Sequence, residues 1–141
     1  MKKMMMTAVI GVALMILAVG CGGKYADVIK VNREFVKLMQ TYVDDMAGAG
    51  SAADAAGAVN RLADGMEKLV PQMKAMRDKY PELQNPENLP EEIKATEKEM
   101  EEVGRKFGEA FMKIMAYMES KEVQEAQARL TSVMRSMGQE K

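Results

Sequence analysis

Histidine and tryptophan are absent from this chain of 141 residues, and cysteine occurs only once. Without histidine, imidazole metal sites, imidazole haem ligation and the Ser-His or Cys-His pairs of nucleophilic catalysis are excluded. One cysteine permits neither an intrachain disulfide nor a cysteine zinc cluster. Three Phe and four Tyr offer few stacking surfaces for bases or sugars. We therefore expect a non-enzymatic protein, with no catalytic residue and no cofactor.

An excess of positive charge is also lacking. The chain has 20 basic and 21 acidic side chains, interspersed as on a solvated surface. Two of the basic residues, Lys2 and Lys3, lie in a segment that we expect to be removed, so 18 basic and 21 acidic side chains remain from Cys21 onward. The chain therefore lacks the net positive charge that binds the phosphate backbone of nucleic acids, and nucleic acid is not an expected partner.

The first twenty residues have the layout of a secretory signal peptide. Lys2 and Lys3 precede an uncharged, largely apolar run from Thr7 to Val19. This run is shorter than the ~20 residues that span a bilayer comfortably, and small residues follow it. A permanent N-terminal membrane helix is the alternative. We predict that residues 1–20 are a signal peptide and are cleaved.

The end of the apolar run, Leu17-Ala18-Val19-Gly20-Cys21, resembles the lipobox of bacterial lipoproteins. In that family the cysteine thiol receives a diacylglyceryl group before cleavage, so the resemblance implies that Cys21 is lipidated. A modified N-terminal cysteine carries several acyl chains, and two or more chains hold a protein stably at a membrane. The membrane, reached through Cys21, is therefore the first expected partner.

The two residues after Cys21 are Gly22 and Gly23, and neither is aspartate. By the same resemblance, this implies sorting to the outer membrane, facing the periplasm, in a cell that has two membranes. Residues 21–23 would then form a short tether to the folded domain. A protein of the cell envelope is the second expected partner.

From residue 24 to residue 138 the apolar spacing alternates between three and four residues, which predicts helices and no strand. The predicted fold class is all-α, an antiparallel, up-down-up-down bundle of about four helices joined by short loops. The fourth helix is the shortest, and it either joins the bundle or caps one end. The predicted helices span about 24–47, 52–80, 89–118 and 121–137.

Local signals predict where these helices begin and end. Gly48 is the expected left-handed cap after helix 1, and Ser51 is the expected N-cap of helix 2. Pro71 should bend helix 2 without ending it, because the apolar spacing stays in phase on both sides. Asn88 and Ser120 are the expected N-caps of helices 3 and 4.

Three polar or small residues interrupt the helical pattern. Asn32 lies among apolar seam positions, where a single inward Asn commonly fixes helix register or oligomeric state. Gly104 and Gly108 each cost about 1 kcal/mol of helix propensity against Ala. We expect a neighbouring helix to approach closely at these two glycines, with a ligand groove as the alternative.

Methionine is abundant, with 16 in the chain, and Met112, Met115 and Met118 repeat a three-residue spacing. At 100° per residue this stripe leaves the core: Met118 borders the apolar seam and Met112 points to solvent. Core packing or partner contact is the first interpretation, because methionine fills irregular cores and adaptable surfaces. The alternative is a soft-metal site, because thioethers are soft ligands that select Cu(I). Ag(I) is a similarly soft ion.

These observations together predict a lipid-anchored protein of the cell envelope that acts as a structural or protein-interaction module. A periplasmic binder of Cu(I) or Ag(I) through Met112, Met115 and Met118 is the alternative function. A carboxylate-based enzyme ranks last, since the acidic run Glu97, Glu99, Glu101 and Glu102 lacks the histidines of a di-iron bundle.

Overall fold

The computed structural model describes residues 23–138, and this part of the chain forms four α-helices without any strand. The prediction of an all-α bundle of four helices is confirmed. The predicted signal peptide and Cys21 lie outside the described residues. None of the described helices is both long enough and apolar enough to cross a bilayer. The helices are α1 (Ala26–Gly48), α2 (Ala52–Lys79), α3 (Glu91–Met115) and α4 (Lys121–Gly138), with two short 3-10 helices at Pro81–Gln84 and Pro86–Asn88.

The first two helices run antiparallel, as predicted. Arg61 near the start of α2 forms an ion pair with Asp45 near the end of α1, with Nε and Oδ2 2.8 Å apart. At the opposite end, Lys79 of α2 forms an ion pair with Asp27 in the first turn of α1. The 3-10 helices then return the chain, so that α3 runs in the direction of α1.

The lateral order of the helices is α3, α1, α2, α4, so α1 packs against a parallel neighbour. Asn32 of α1 donates from Nδ2 to Oγ1 of Thr96 in α3 at 3.2 Å. Ten residues further along α1, the ring of Tyr42 lies 5.2 Å from that of Phe107. The predicted inward position of Asn32 is confirmed, and its partner is α3.

The fourth helix joins the bundle along α2 instead of capping its end. Arg129 forms ion pairs with Asp64 at 2.6 Å and with Glu67 at 2.9 Å. Met137 and Val70 line one cavity further along the same two helices. The two helices therefore run parallel, and α2 has α1 on one side and α4 on the other.

The buried surface of α2 is wide, because small side chains face two neighbouring helices, α1 and α4. Besides the residues that follow the three- and four-residue spacing, four further small or apolar side chains of α2 are buried. Small side chains allow a second helix to approach closely, and the alternating spacing of larger residues predicted only one contact surface. The additional buried residues are Ala56, Ala58, Ala63 and Val70.

Two predicted features of α2 are confirmed. The Ser51 side chain is the N-cap and accepts a hydrogen bond from the Asp54 backbone N–H at 3.2 Å. The Asp54 carboxylate in turn accepts the Gly50 backbone N–H at 3.1 Å. Pro71 lies inside one continuous helix, which ends at Lys79.

Two predicted caps are wrong. Ala49, with φ −65° and ψ 122°, is the C-cap of α1, and no residue in the range 23–138 has a positive φ, so Gly48 is not left-handed. Asn88 belongs to a 3-10 helix, and Pro90 precedes α3 as its N-cap. Proline disfavours helical backbone in the preceding residue, so α3 cannot extend back through Leu89.

The break between the last two helices is confirmed, although α3 ends earlier than predicted. It ends at Met115, and the chain turns before α4 begins at Lys121. The backbone N–H of Gln124 donates to the Ser120 carbonyl at 3.0 Å. The apolar residues of α4 are out of phase with those of α3 by two residues, and the turn between the helices allows the rotation of about 200° that this shift requires.

Candidate functional site

The C-terminal half of α3 carries large apolar side chains in solvent. The exposed fractions are 50% for Phe111, 71% for Met112 and 53% for Met115. Met118, the third residue of the predicted methionine stripe, is partly buried against the main core. The structure therefore leaves two thioethers of the stripe in solvent and directs the third inward.

Gly104 and Gly108 lie on the same side of α3 as these exposed residues, and the expected contact with a neighbouring helix is wrong. A β-carbon added at either glycine would have no neighbouring atom within 4 Å among the described residues. The reason is the position of α3 at one edge of the bundle, where a different side of the helix packs against α1.

These five residues form one continuous strip, which we call the α3 outer face. At 100° per residue, their positions span about 100° of the helix circumference, and their length along the axis is about 17 Å. The strip consists of glycine, phenylalanine and methionine, with no charged side chain between its ends. Its members are Gly104, Gly108, Phe111, Met112 and Met115.

The α3 outer face begins near the middle of α3 at Gly104 and ends, at Met112 and Met115, at the end of the bundle opposite to Gly23. Lys113 lies in the same turns as these two methionines and donates from Nζ to the Ala47 carbonyl, in the last turn of α1, at 2.6 Å. This bond also supplies a cation to the C-terminus of α1, whose own last turn has no basic residue. Since α1 begins next to Gly23, the methionine end of the strip is separated from that residue by nearly the length of α1.

The other end of the bundle is closed by a network that we call the tyrosine clasp. The rings of Tyr25 and Tyr80 meet edge to face, with centroids 5.2 Å apart. The Tyr80 hydroxyl lies 2.9 Å from both the Lys24 carbonyl oxygen and Asp27 Oδ1, and it donates its proton to one of them. The clasp comprises Lys24, Tyr25, Asp27, Lys79, Tyr80 and Glu82.

The charges of the tyrosine clasp form two short ion pairs. Lys79 Nζ lies 2.6 Å from Asp27 Oδ2, and Lys24 Nζ lies 2.8 Å from Glu82 Oε1. The hydrogen bond from Lys79 holds the pKa of Asp27 below its usual value, with further help from Tyr80. The hydrogen bond from Lys24 likewise lowers the pKa of Glu82.

The same two ion pairs raise the pKa of each lysine. The pKa of Lys24 lies above its usual value because its ammonium donates to Glu82, and that of Lys79 lies above its usual value because its ammonium donates to Asp27. Each charged group of the clasp thus has a partner of opposite sign. The network fastens the start of α1 to the end of α2.

Tyr25 and Tyr80 follow the three- and four-residue apolar spacing of the first two helices, but the tyrosine clasp that they form was not predicted. The signal that could have found it is the repeated Lys-Tyr pair, Lys24-Tyr25 and Lys79-Tyr80, at ends of two helices that must meet if they are antiparallel. The exposure of Phe111 was also not predicted, because this residue lies one turn from Phe107, which follows the apolar spacing of α3, and an aromatic residue there is expected to be buried.

The acidic residues of α3 are exposed. Glu97, Glu99, Glu101 and Glu102 all lie in solvent. Within residues 23–138, no three acidic side chains are grouped so that they could hold a metal ion.

The chain matches no protein-family model, no curated protein and no solved structure.

Proposed function

We propose that this chain is a lipid-anchored, non-enzymatic protein of the cell envelope that binds a helix of a protein partner through the α3 outer face. One observation carries the proposal: Met112 is 71% exposed, between Phe111 and Met115, on a helix side with no neighbour among the described residues. A contiguous exposed apolar patch of this kind is typical of an interaction site, whereas single exposed apolar residues are ordinary.

The composition of the strip favours a helix as the bound element. Gly104 and Gly108 have no side chains, so the backbone of a partner helix can approach α3 closely there. Methionine side chains adapt their shape to different surfaces because they are unbranched and flexible. Helix propensity lost at the two glycines would be offset by that contact.

The anchor in this proposal is Cys21, after removal of residues 1–20. The support is the lipobox resemblance together with the position of Gly23, which is already bonded into the fold: its carbonyl accepts the Ala26 N–H at 3.0 Å. The outer membrane is the proposed location in a cell with two membranes. Gly23 and the Met112 end of the strip lie at opposite ends of the bundle, so that a short tether before Gly23 leaves this part of the strip uncovered.

Site-specific photocrosslinking in the native envelope tests the partner. A photoreactive amino acid at Met112 should give an adduct of one defined mass. The matched control is Lys106, which is exposed and lies about 120° around the same helix from Met112. Identical adducts from both positions, or none from Met112 while the protein is present in the envelope, would contradict the proposal.

The anchor is tested separately with a Cys21→Ser substitution. The wild-type protein should incorporate radiolabelled fatty acid and sediment with membranes, whereas the variant should do neither. A variant that stays in the membrane fraction with an intact Met1 would show that residues 1–20 are a permanent membrane helix instead.

Binding of Cu(I) or Ag(I) is the second candidate, and the observation that favours it is the exposure of Met112 and Met115 one turn apart. Two exposed thioethers form an incomplete ligand set, and Met118 would have to leave its packed position to complete it. Titration of Ag(I) into wild type and into a variant with leucine at all three positions tests it. Equal affinity of the two proteins would end this candidate.

A further inference from the structure

The outer side of α1 carries three cations that have no ion-pair partner among residues 23–138. Lys30, Arg33 and Lys37 recur at spacings of three and four residues, so they lie on one side of the helix, and all three are exposed. None of them forms an ion pair within the described part of the chain, in contrast to Lys24 and Lys79.

A fourth cation joins them across a shallow groove between α1 and α2. The groove has a volume of about 380 Å³, and Lys37 and Lys68 line it together with Leu38 and Leu69. Glu34 is the acidic residue that lines the same groove. We call this surface the basic patch, and its cations are Lys30, Arg33, Lys37 and Lys68.

Two other acids of these helices do not neutralise the basic patch, because each forms an ion pair with a cation outside it. Asp27 pairs with Lys79 in the tyrosine clasp, and Glu67 pairs with Arg129 on the α4 side of α2. The basic patch therefore has an excess of positive charge, although the whole chain is slightly acidic. An anionic surface complements such a patch.

The position of Gly23 decides which anionic surface is within reach. Two peptide units separate Cys21 from Gly23 and span at most about 7 Å. If α1 stood perpendicular to the membrane, Lys37 would lie about 21 Å beyond Gly23, well past the ~8 Å Debye length at physiological ionic strength. If α1 lay along the membrane, every cation of the basic patch would be near the headgroups.

We infer that α1 lies along the membrane surface, with the basic patch against the anionic headgroups of the bilayer that holds the lipid anchor. This inference rests on the proposed lipidation of Cys21. Leu38 and Leu69 in the groove suit the boundary between headgroups and acyl chains, where apolar side chains flanked by cations are stabilised. Each cation near an anionic membrane contributes enough to change the docked population several-fold.

Headgroup quenching in the lipidated full-length protein tests this orientation. Lipidation uses the thiol of Cys21, so a cysteine introduced at Thr41 or at Ala128 is labelled alone with a fluorophore. Both residues are exposed and lie at a similar height, because Leu38 contacts Gly65 and the neighbouring Asp64 pairs with Arg129. Thr41 borders the groove, whereas Ala128 lies on the outer side of α4.

The proteins are reconstituted in phosphatidylglycerol–phosphatidylcholine vesicles that contain a lipid with a nitroxide headgroup. The label at Thr41 should be quenched several-fold more than the label at Ala128. The difference between the two labels should disappear in about 0.5 M NaCl, where the Debye length is roughly 4 Å. It should also disappear in vesicles of phosphatidylcholine without phosphatidylglycerol. Replacing Lys30, Arg33 and Lys37 with Gln should reduce the docked population by about 100-fold.

Two different failures are distinguishable. If the protein floats with the vesicles but the two labels are quenched equally, the orientation is wrong and the anchor stands. If the protein does not float with vesicles at all, the proposed anchoring is wrong, and the orientation is overturned with it. The salt dependence uses the unsubstituted basic patch, so the result does not depend on how the Gln variant folds.

Discussion

The methyl groups of Leu38 in α1 occupy the space that a β-carbon at Gly65 in α2 would need. Gly65 is therefore the glycine at which two helices of this bundle approach each other closely. A close approach was predicted instead at Gly104 and Gly108, which have open space beside them. The two kinds of site respond in opposite ways to the same substitution.

Gly65→Ala is expected to lower the free energy of unfolding by about 1 kcal/mol. The added methyl group forces Leu38 to repack, and overpacking of this kind typically costs 1–3 kcal/mol, from which about 1 kcal/mol of gained helix propensity is subtracted. Urea denaturation followed by circular dichroism measures the change. The matched control is Gly108→Ala, which gains the propensity without a clash and should stabilise the protein by about 1 kcal/mol.

A Leu38→Ala background separates the two contributions to the Gly65→Ala effect. Without the leucine methyl groups, the second substitution should become stabilising, as it is at Gly108. Equal stabilisation by Gly65→Ala and Gly108→Ala in the wild-type background would refute the close approach between α1 and α2 at this position.

Thr96→Val is expected to destabilise the protein by about 1–2 kcal/mol. Thr96 is 1% exposed, and its hydroxyl accepts the Asn32 amide and donates to the Ile93 carbonyl at 2.7 Å. Valine keeps the shape but leaves the Asn32 donor without its acceptor, which costs more than the bond itself contributes. Chemical denaturation measures the loss.

The double variant Asn32→Leu with Thr96→Val should recover most of that stability, because replacing both partners removes the unsatisfied groups. The recovery distinguishes a polar link between helices from a simple packing defect. A double variant that is less stable than Thr96→Val alone would show that Asn32 contributes independently of Thr96.

The tyrosine clasp should stabilise the protein between about pH 4 and pH 10. Asp27 and Glu82 have pKa values lowered by their lysine partners, so their contribution is complete above the unfolded carboxyl pKa and is lost as the pH falls through the folded value. Lys24 and Lys79 have raised pKa values, so theirs is lost as the pH rises through the folded value.

Melting temperatures across that range check this expectation. Asp27→Asn should melt below wild type at pH 7, and the difference should shrink below about pH 4 and in high salt, because these groups are exposed and screened. Asp78→Asn is the control, since Asp78 is exposed next to Lys79 and forms no ion pair within residues 23–138. A difference that does not change with pH would show that the ion pair with Lys79 contributes nothing.

Apolar spacing predicted the helices well, because each helix buries one side and apolar residues recur on that side every three to four positions. Ile93, Val103 and Ile114 follow the three- and four-residue spacing in α3, and all three are buried. Spacing within one helix does not state which neighbour covers that side. The lateral order α3, α1, α2, α4 depends on packing among all the helices, so the parallel pairs could not be predicted.

The same limit explains the glycines and the α3 outer face. Gly104 and Gly65 are alike in sequence, each inside a long helix, and only the position of α3 at an edge leaves Gly104 in open space. The predicted methionine stripe was correct in its geometry, with Met112 pointing to solvent and Met118 bordering the core. What the stripe binds is not contained in its spacing.

Peroxide should oxidise the exposed methionines of α3 before the buried ones. Met112 and Met115 are more than half exposed, whereas Met46 and Met66 are 0% and 1% exposed and react only when the protein opens. Peptide mass spectrometry after brief treatment with dilute hydrogen peroxide measures each rate. Rates for Met66 close to those for Met112 in the folded protein would refute the packing described for α2.

The same measurement then reports on the proposed partner. In native envelopes, a helix bound to the α3 outer face should slow the oxidation of Met112 and Met115 relative to the purified protein. Met134 is the internal reference, because it is 43% exposed on α4, away from that strip. Protection of all three methionines alike would indicate that the envelope merely consumes peroxide, and unchanged rates for Met112 would leave the α3 outer face without an occupant.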